Sequence, residues 1–131
     1  MNERYIRQTM IPEIGEAGQE KLKNAKVLIV GIGGLGSPIS LYLTAAGVGQ
    51  IGLIDDDIVS KSNLQRQILY TEAEIGQSKV ECACRRLSAL NSSTRFETYP
   101  NRFTPDNANR LVSAYDIIVD GCDNAATRYL I

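Results

Sequence analysis

The sequence predicts an α/β fold with a doubly wound, mostly parallel β-sheet and helices on both faces. Short apolar runs rich in β-branched residues alternate with segments of helical periodicity. Glycines directly follow the first apolar run, and acidic residues follow the second and fourth. The chain has 131 residues, of which 44% are hydrophobic and 22% charged. It can therefore bury a core of one domain's size, which excludes a disordered chain or a mini-protein.

The first half of the chain predicts a helix, a strand, a second helix and a second strand. Glu13 to Asn24 is polar with scattered apolar residues, and it predicts a helix within an N-terminal helical arm over residues 1–25. Lys26 to Val30 predicts a buried parallel strand. The helix after the glycines is expected to end at Gly47, before a strand over Ile51 to Ile54. Its inward face is expected to consist of Ile39, Tyr42, Leu43 and Ala46.

The second half begins with a long polar connection from Ile58 to Gln77 that lacks clear periodicity. A connection of this length in a compact domain is usually functional. Ser78 begins a helix, and strands are predicted over Arg95 to Tyr99 and Ile117 to Val119, with a helix over Asp106 to Ser113 between them. The core-facing side of the helix after Ser78 is expected to consist of Val80, Ala83, Cys84 and Leu87.

Composition excludes several kinds of chemistry. The chain has no histidine, which excludes Ser-His-Asp and Cys-His hydrolases and histidine-dependent metal sites. Its three cysteines, Cys82, Cys84 and Cys122, do not have the spacing of a disulfide framework or a zinc site, and they suit the reducing cytoplasm. The net charge is −1, and no apolar run approaches about 18 residues, so we expect neither nucleic acid nor a membrane as partner.

A glycine-rich loop is the first motif that points to a ligand. Gly31, Gly33 and Gly36 form G-x-G-x-x-G between a predicted strand and a predicted helix. Such a loop brings backbone N–H groups and a helix N-terminus close to a phosphate, as in Rossmann-like nucleotide sites. Asp55 lies 19 residues after Gly36, close to the spacing of a ribose-binding carboxylate. A glycine turn used only for close packing is the alternative.

Charged residues elsewhere bear on which nucleotide the loop holds. A dinucleotide's pyrophosphate carries about two negative charges and can be bound by backbone amides alone. A triphosphate carries about four, and usually needs Lys or Arg and Mg²⁺. Arg66 and Lys79 could supply the cations, and Asp123, after the fourth strand, is a candidate Mg²⁺ ligand. In a parallel sheet, Gly31, Asp55 and Asp123 would emerge at the same edge.

Longer strings resemble the ThiF/MoeB/HesA family, the bacterial relatives of ubiquitin-activating enzymes. The string S-N-L-Q-R-Q followed by G-x-x-K is far more specific than the glycine loop. The strings that carry the resemblance are Arg4 to Gln8, Val30 to Gly36, Asp55 to Asp57, Ser62 to Gln67, Gly76 to Lys79 and Asp120 to Asn124.

The resemblance implies an adenylyltransferase, a class of nucleotidyltransferase. Such an enzyme uses ATP and Mg²⁺ to adenylate the C-terminal glycine of a ubiquitin-fold sulfur-carrier protein, for thiamine or molybdopterin biosynthesis. It also implies a cytoplasmic homodimer, in which Arg7 acts as an arginine finger at the site of the second subunit.

The resemblance also implies roles for individual residues at the nucleotide. Asp55 would bind the ribose hydroxyls, with Asp57 as the second candidate. Arg66 would lie near the phosphates, Lys79 would neutralise phosphate charge, and Asp123 would hold Mg²⁺. The other expected nucleotide contacts are Gly31, Gly33, Gly34, Gly36, Ser62, Asn63 and Asn124.

Members of that family are considerably longer than this chain. We therefore expect residues 1–131 to form the N-terminal part of one nucleotide-binding domain, with the C-terminal half of the family domain absent. Residues 125–131 resemble a helix that is just starting. A NAD-dependent oxidoreductase and a catalytically inactive binding module of the same fold are the two alternatives.

Overall fold

A parallel sheet forms the centre of the structure, a computed structural model that describes residues 3–65 and 67–121. The order of its strands among the described residues is β3-β2-β1-β4, and each neighbouring pair is parallel. The predicted strands are confirmed to within one residue at each end. They are β1 (Lys26–Val30), β2 (Gln50–Ile54), β3 (Arg95–Tyr99) and β4 (Ile117–Asp120).

Five α-helices accompany the sheet in the described part of the chain. They are α1 (Ile6–Thr9), α2 (Gly15–Asn24), α3 (Gly36–Ala46), α4 (Lys79–Leu90) and α5 (Pro105–Ala114). The Thr104 side chain and Asn107 form a capping box at the start of α5, where Pro105 suits the first helical turn. The described part of the predicted arm contains α1 and α2, while the division of the chain into domains stays a prediction.

None of the helices in residues 3–65 and 67–121 has the length and apolar character needed to cross a lipid bilayer.

Helices cover both faces of the sheet, which confirms the predicted doubly wound architecture. Successive strand residues point to opposite faces, so β1 contributes to two separate apolar clusters. On one face, Val27 and Ile29 pack in a cluster with Val80 and Leu87 of α4. On the other face, β1 packs in a cluster with α5. Because both faces of β1 are buried, its sequence is a continuous apolar run rather than an alternating one.

The predicted inward face of α3 is partly wrong. Ile39 and Leu43 do pack against the core, but Tyr42 is 77% exposed. The fully buried residues of α3 are small, namely Gly36, Ser37, Ser40 and Thr44. Small side chains allow a helix to lie close to its neighbours, and here they occupy the centre of the face. The spacing of apolar residues alone therefore does not identify which residues lie at the centre of the buried face of α3.

The prediction that Cys84 packs in the core is also wrong. Cys82 is fully buried in the apolar cluster, whereas Cys84 is only half-buried and lies near the Ser88 hydroxyl. The buried residues of α4 are Lys79, Val80, Cys82, Ala83 and Leu87, so the buried face is rotated about the helix axis away from Cys84. Burial raises the pKa of the Cys82 thiol, which makes it a poor nucleophile.

A buried polar contact joins the start of the chain to the ends of α3 and α4. Asn91 follows α4, and its Nδ2 donates to the Tyr5 hydroxyl at 2.7 Å and to the Thr44 carbonyl at 3.0 Å. Its Oδ1 accepts from the Ser93 N–H at 3.1 Å. Thr44 lies in the last turn of α3, where carbonyl groups lack partners within the helix.

Two glutamines bind the last residue of α3. Gln8 Nε2 donates to Gln19 Oε1 at 2.7 Å, and both glutamines donate to the Ala46 carbonyl at 3.0 Å. Gly47 then adopts a φ of +96°, and a Cβ there would lie 2.7 Å from Gln19 and Tyr5. The arm is therefore attached to the C-terminal end of α3 by hydrogen bonds that require glycine at that position.

We expect Asn91→Ala to lower the free energy of unfolding by about 2–4 kcal/mol, because it removes three hydrogen bonds and leaves a cavity beside the buried Tyr5 hydroxyl. Urea denaturation would measure the change. Exposed Asn101 is the matched control, and Asn101→Ala should change stability by less than about 0.5 kcal/mol. A similar small effect of both substitutions would contradict the described network.

Candidate functional site

The glycine loop connects β1 to α3 at the carboxyl edge of the sheet. Gly31 has a φ of +91°, and its N–H donates to the Ile54 carbonyl at 2.9 Å. Gly36 packs directly against the Gly31 carbonyl, where any Cβ would overlap the carbonyl oxygen. Gly121, the residue after β4, also packs against these two glycines. The loop can make this turn only because glycine lies at the points of closest approach.

The loop presents backbone N–H groups that have no acceptor in the described part of the chain. These are the N–H groups of Gly33, Gly34 and Leu35, and the last two residues are exposed. They precede α3, whose N-terminus carries a partial positive charge. This arrangement can bind an anion such as a phosphate without any charged side chain.

Asp55 holds the glycine loop in place. Its Oδ2 accepts from the Ile32 N–H and its Oδ1 from the Asp57 N–H, both at 2.8 Å. Asp55 is half-buried, and each carboxylate oxygen can accept one further hydrogen bond. The structure therefore shows a role that the sequence did not indicate, as a clamp between β2 and the loop. Ribose binding by Asp55 stays a prediction.

A buried cation lies at the same edge. The Lys79 side chain is 5% exposed, and its Nζ is 3.6 Å from Oδ2 of Asp57, whose side chain is 68% exposed. The Lys79 N–H also donates to the Asp57 carbonyl at 3.1 Å. A buried ammonium is costly unless it is paired, and 3.6 Å is longer than a good hydrogen bond. Lys79 is thus placed to gain from a second negative charge.

The described parts of the polar connection after β2, residues 58–65 and 67–77, contain regular turns and bridges. They include short 3₁₀ turns over Lys61–Asn63 and Glu72–Glu74, and Ile58 forms an antiparallel bridge with Ser78. Val59 exchanges backbone hydrogen bonds at 2.8 Å with the residues 76–77. Its apolar residues Val59, Leu69 and Tyr70 are buried in the core. The connection therefore forms a wall of the site.

The first of these turns carries two predicted nucleotide contacts. The Ser60 hydroxyl donates to Oδ1 of Asn63 and lies 3.4 Å from the Ser62 hydroxyl. The Asn63 residue is half-buried. The Asn63 carbonyl accepts from the Gln67 N–H at 2.8 Å. This bond continues the turn toward the glycine loop.

Two residues that the sequence analysis did not assign support the glycine loop. The buried Tyr70 hydroxyl donates to the Ile32 carbonyl at 2.6 Å. Burial and the nearby Asp55 carboxylate raise the pKa of Tyr70, so its hydroxyl remains a donor. The Gln67 amide lies beside Gly33. Gln67 belongs to the S-N-L-Q-R-Q string, which could have suggested it, but no sequence signal indicated Tyr70.

The structure brings most of the described candidates together. Asp55 binds the glycine loop, and Asp57 pairs with Lys79. The Asn63 carbonyl binds the N–H of Gln67, whose side chain lies beside Gly33. Arg7 does not belong to it. Arg7 is exposed on α1, next to Gln8, which binds the opposite end of α3, about 16 Å from the loop. Arg66, Asp123 and Asn124 lie outside the described residues.

We expect Gly36→Ala to destabilise the protein by at least about 2 kcal/mol, because the new Cβ would overlap the backbone of Gly31 and force the loop open. The matched control is Gly33→Ala. Its Cβ would lie 3.4 Å from the flexible Gln67 side chain, and we expect a loss below about 1 kcal/mol. Urea denaturation of both variants tests this, and equal losses would argue against the close approach at Gly36.

We expect Tyr70→Phe to lower stability by about 1–2 kcal/mol at neutral pH, because it leaves the Ile32 carbonyl without its donor. A pH series adds an independent test. Since the pKa of Tyr70 is raised in the folded state, stability is retained below about pH 10, where the unfolded tyrosine is protonated, and falls as the pH rises further.

Tyr70→Phe should reduce that alkaline loss, whereas Tyr42→Phe, at an exposed position, should leave it unchanged. Unfolding curves recorded between about pH 8 and pH 11 would show the difference. Parallel pH profiles for the wild type and Tyr70→Phe would contradict the buried environment of this hydroxyl.

The sequence matches known proteins over almost its whole length. It is 50% identical to the sulfur carrier protein adenylyltransferase of Thermus thermophilus over 129 residues, which are 98% of this chain and 48% of that protein. It is also 50% identical to the probable adenylyltransferase/sulfurtransferase MoeZ of Mycobacterium tuberculosis, covering 98% of this chain and 33% of MoeZ. The chain thus spans about half the length of the first relative and about a third of the second.

Solved structures share the fold. The tRNA N6-threonylcarbamoyladenosine dehydratase TcdA of E. coli superposes with a TM-score of 0.91 at 30% identity, covering 97% of this chain and 53% of TcdA. E. coli MccB, crystallised with ATP, has a TM-score of 0.83 at 34% identity, covering 96% of this chain and 39% of MccB.

The profile of the ThiF family matches residues 5–131, which include the glycine loop, the Asp55 clamp and the buried Lys79. The match therefore covers both the sheet and the candidate site. With this match and the relatives above, the chain belongs to the ThiF family.

Proposed function

We propose that this chain is the ATP-binding part of an adenylyltransferase that activates the C-terminal glycine of a ubiquitin-like sulfur-carrier protein. The observation that carries the proposal is the pairing of an anion-binding glycine loop with the buried Lys79 at one edge of the sheet. The relatives named as adenylyltransferases support it, as do the ATP-bound structures of MccB and TcdA.

The charge distribution favours a triphosphate over a dinucleotide. The free N–H groups of the loop would suffice for a pyrophosphate with about two negative charges. A buried lysine with one distant, exposed counter-ion would be an unnecessary cost in such a site. For a triphosphate with about four charges, Lys79 and Arg66 supply the neutralisation that the loop lacks. This argument disfavours the NAD-dependent oxidoreductase.

The proposed reaction needs charge neutralisation more than proton transfer. A carboxylate oxygen of the carrier's terminal glycine attacks the α-phosphorus of ATP. The bond between that phosphorus and the bridging oxygen breaks, and pyrophosphate leaves with the bonding electrons. The carboxylate is already ionised near neutral pH, so no general base is required. Positioning and neutralisation of like charges would therefore supply most of the catalysis, in a chain without histidine.

The remaining residues receive their roles as part of this proposal. Asp55, with Asp57 as the alternative, binds the ribose hydroxyls through the free lone pairs of its carboxylate. Asp123 holds Mg²⁺, which would offset charge on the phosphates, and a single carboxylate together with phosphate oxygens suits the ion's preferences. The further nucleotide contacts in the proposal are Gly31, Gly33, Gly34, Gly36, Ser62, Asn63 and Asn124.

Arg7 is proposed to act on a second subunit. Its position supports this, because within one chain it lies near the C-terminal end of α3, whereas the glycine loop lies at the N-terminal end. A homodimer would allow each arm to reach the other site. We further propose that the protein functions in the cytoplasm, in thiamine or molybdopterin biosynthesis.

We expect Lys79→Ala, and separately Arg66→Ala, to reduce carrier-dependent exchange between ATP and pyrophosphate by at least about 100-fold, because each removes a charge that opposes the phosphates. The full-length protein and a ubiquitin-like sulfur carrier would be used, with radiolabelled pyrophosphate as the readout. Exposed Lys23 on α2 is the matched control, and Lys23→Ala should leave the exchange unchanged.

Undiminished exchange in Lys79→Ala would contradict the assigned role. ATP binding by the wild type without exchange for any carrier would instead support an inactive binding module. Binding of NAD in preference to ATP would support the oxidoreductase.

A further inference from the structure

We propose that Gln67 is a nucleotide-binding residue whose side-chain amide donates to the phosphate chain beside Gly33. The inference rests on the proposed function, since it requires a nucleotide in the glycine loop. Gln67 is the last residue of the S-N-L-Q-R-Q string, and three separate features of the structure point to it.

The first feature is a buried amide oxygen without a hydrogen-bond partner. The Gln67 residue is 4% exposed, its Oε1 is buried and accepts no hydrogen bond, and its Nε2 donates to no described residue. Buried polar side chains are almost always paired, because an unpaired group has lost its water without compensation. Thr44 Oγ1 is also buried without a partner but lies at the far end of α3, so the unpaired oxygen of Gln67 gains its meaning from its position.

The second feature is the position of the amide. Its Nε2 lies 3.4 Å from where a Cβ on Gly33 would be, so the amide is packed against the loop itself. The backbone fixes it there, because the Gln67 N–H donates to the Asn63 carbonyl at 2.8 Å and the Gln67 carbonyl accepts from the Tyr70 N–H at 3.3 Å. The Tyr70 hydroxyl in turn binds the Ile32 carbonyl.

The third feature is the chemistry of the surroundings. The free N–H groups of Gly33, Gly34 and Leu35 are donors at the N-terminus of α3, and the amide Nε2 adds a donor beside them. A cluster that consists mainly of donors fits an anion. A phosphate oxygen would accept from Nε2, and Oε1 would accept from a water molecule that hydrates the phosphate.

Gln19 shows how a structural glutamine differs. It is also buried, but its Oε1 accepts from Gln8 at 2.7 Å and its Nε2 donates to the Ala46 carbonyl at 3.0 Å. Gln19 is far from the loop, at the C-terminal end of α3. It is therefore a matched control for substitution of a buried glutamine.

The test is Gln67→Met in the full-length chain, because methionine keeps the length of the side chain and removes both polar atoms. Without nucleotide, the Tm should be unchanged or higher, since an unpaired buried group has been removed. The Kd for ATP, measured by calorimetry, should rise about tenfold. The control Gln19→Met should have a lower Tm and an unchanged Kd for ATP.

Further probes identify the part of the nucleotide that Gln67 binds. The Kd of Gln67→Met for inorganic tripolyphosphate should rise as much as that for ATP, while the Kd for adenosine should not change. A loss confined to adenosine would overturn the assignment to the phosphates. An unchanged Kd for ATP would overturn the inference, while a wild type that binds no ATP would overturn the proposed function instead.

If Gln67→Met does not fold, the side-chain amide of the wild type can be followed by NMR. Its ¹H and ¹⁵N resonances should shift, and its exchange with solvent should slow, when tripolyphosphate is added. Resonances that do not respond, in a protein whose loop amides do respond, would overturn the inference.

Discussion

The close approach of Gly36 to the Gly31 carbonyl is the constraint on which the rest of the site depends. It sets the sharp turn that takes the chain from β1 into α3, and it allows Gly121 to follow β4 into the same space. Because α3 starts immediately at this point, its N-terminus faces the carboxyl edge of the sheet. A larger residue at Gly36 would move both the helix and the free N–H groups before it.

Three hydrogen bonds, two to the end of β2 and one from the polar connection, hold this turn. Asp55 binds the Ile32 N–H from the end of β2, Tyr70 binds the Ile32 carbonyl from the polar connection, and the Gly31 N–H binds the Ile54 carbonyl. Hydrogen bonds thus fix the backbone of the loop that is proposed to hold phosphate at both Gly31 and Ile32. Preorganised donors of this kind bind charge more effectively than donors that must first be ordered.

Much of the fold could be predicted because buried parallel strands have a distinctive sequence. Three of the four described strands, β1, β2 and β4, are largely apolar segments that glycine or aspartate follows, whereas the edge strand β3 mixes charged or polar residues with aromatic ones. The helix faces were less predictable. Ser40 and Thr44 occupy the centre of α3's inward face, and small polar residues give no apolar signal, so Tyr42 was wrongly placed inside. On α4, the apolar period likewise placed Cys84 in the core, where the structure has Cys82 instead.

Some residues of the candidate site could be predicted from the sequence, and others could not. The glycine loop, Asp55 and Lys79 could be found from motifs, because phosphate binding needs those residue types at those spacings. The clamp formed by Asp55 could not be predicted, because it depends on how β1 and β2 lie side by side. The unpaired amide of Gln67 was equally hidden, since only the three-dimensional surroundings show that a buried group lacks a partner.

The position of Lys79 has a consequence for the energy of the whole molecule. Its main chain and its side chain both face Asp57, so the start of α4 and the end of β2 share one electrostatic contact. The fold thus bears an ammonium that is removed from water and paired only at 3.6 Å with an exposed carboxylate. An anion bound at the proposed site would interact with Lys79 in the native state and would lack such a site in the unfolded chain. By mass action, its binding would add to the free energy of unfolding by an amount that grows with the anion concentration.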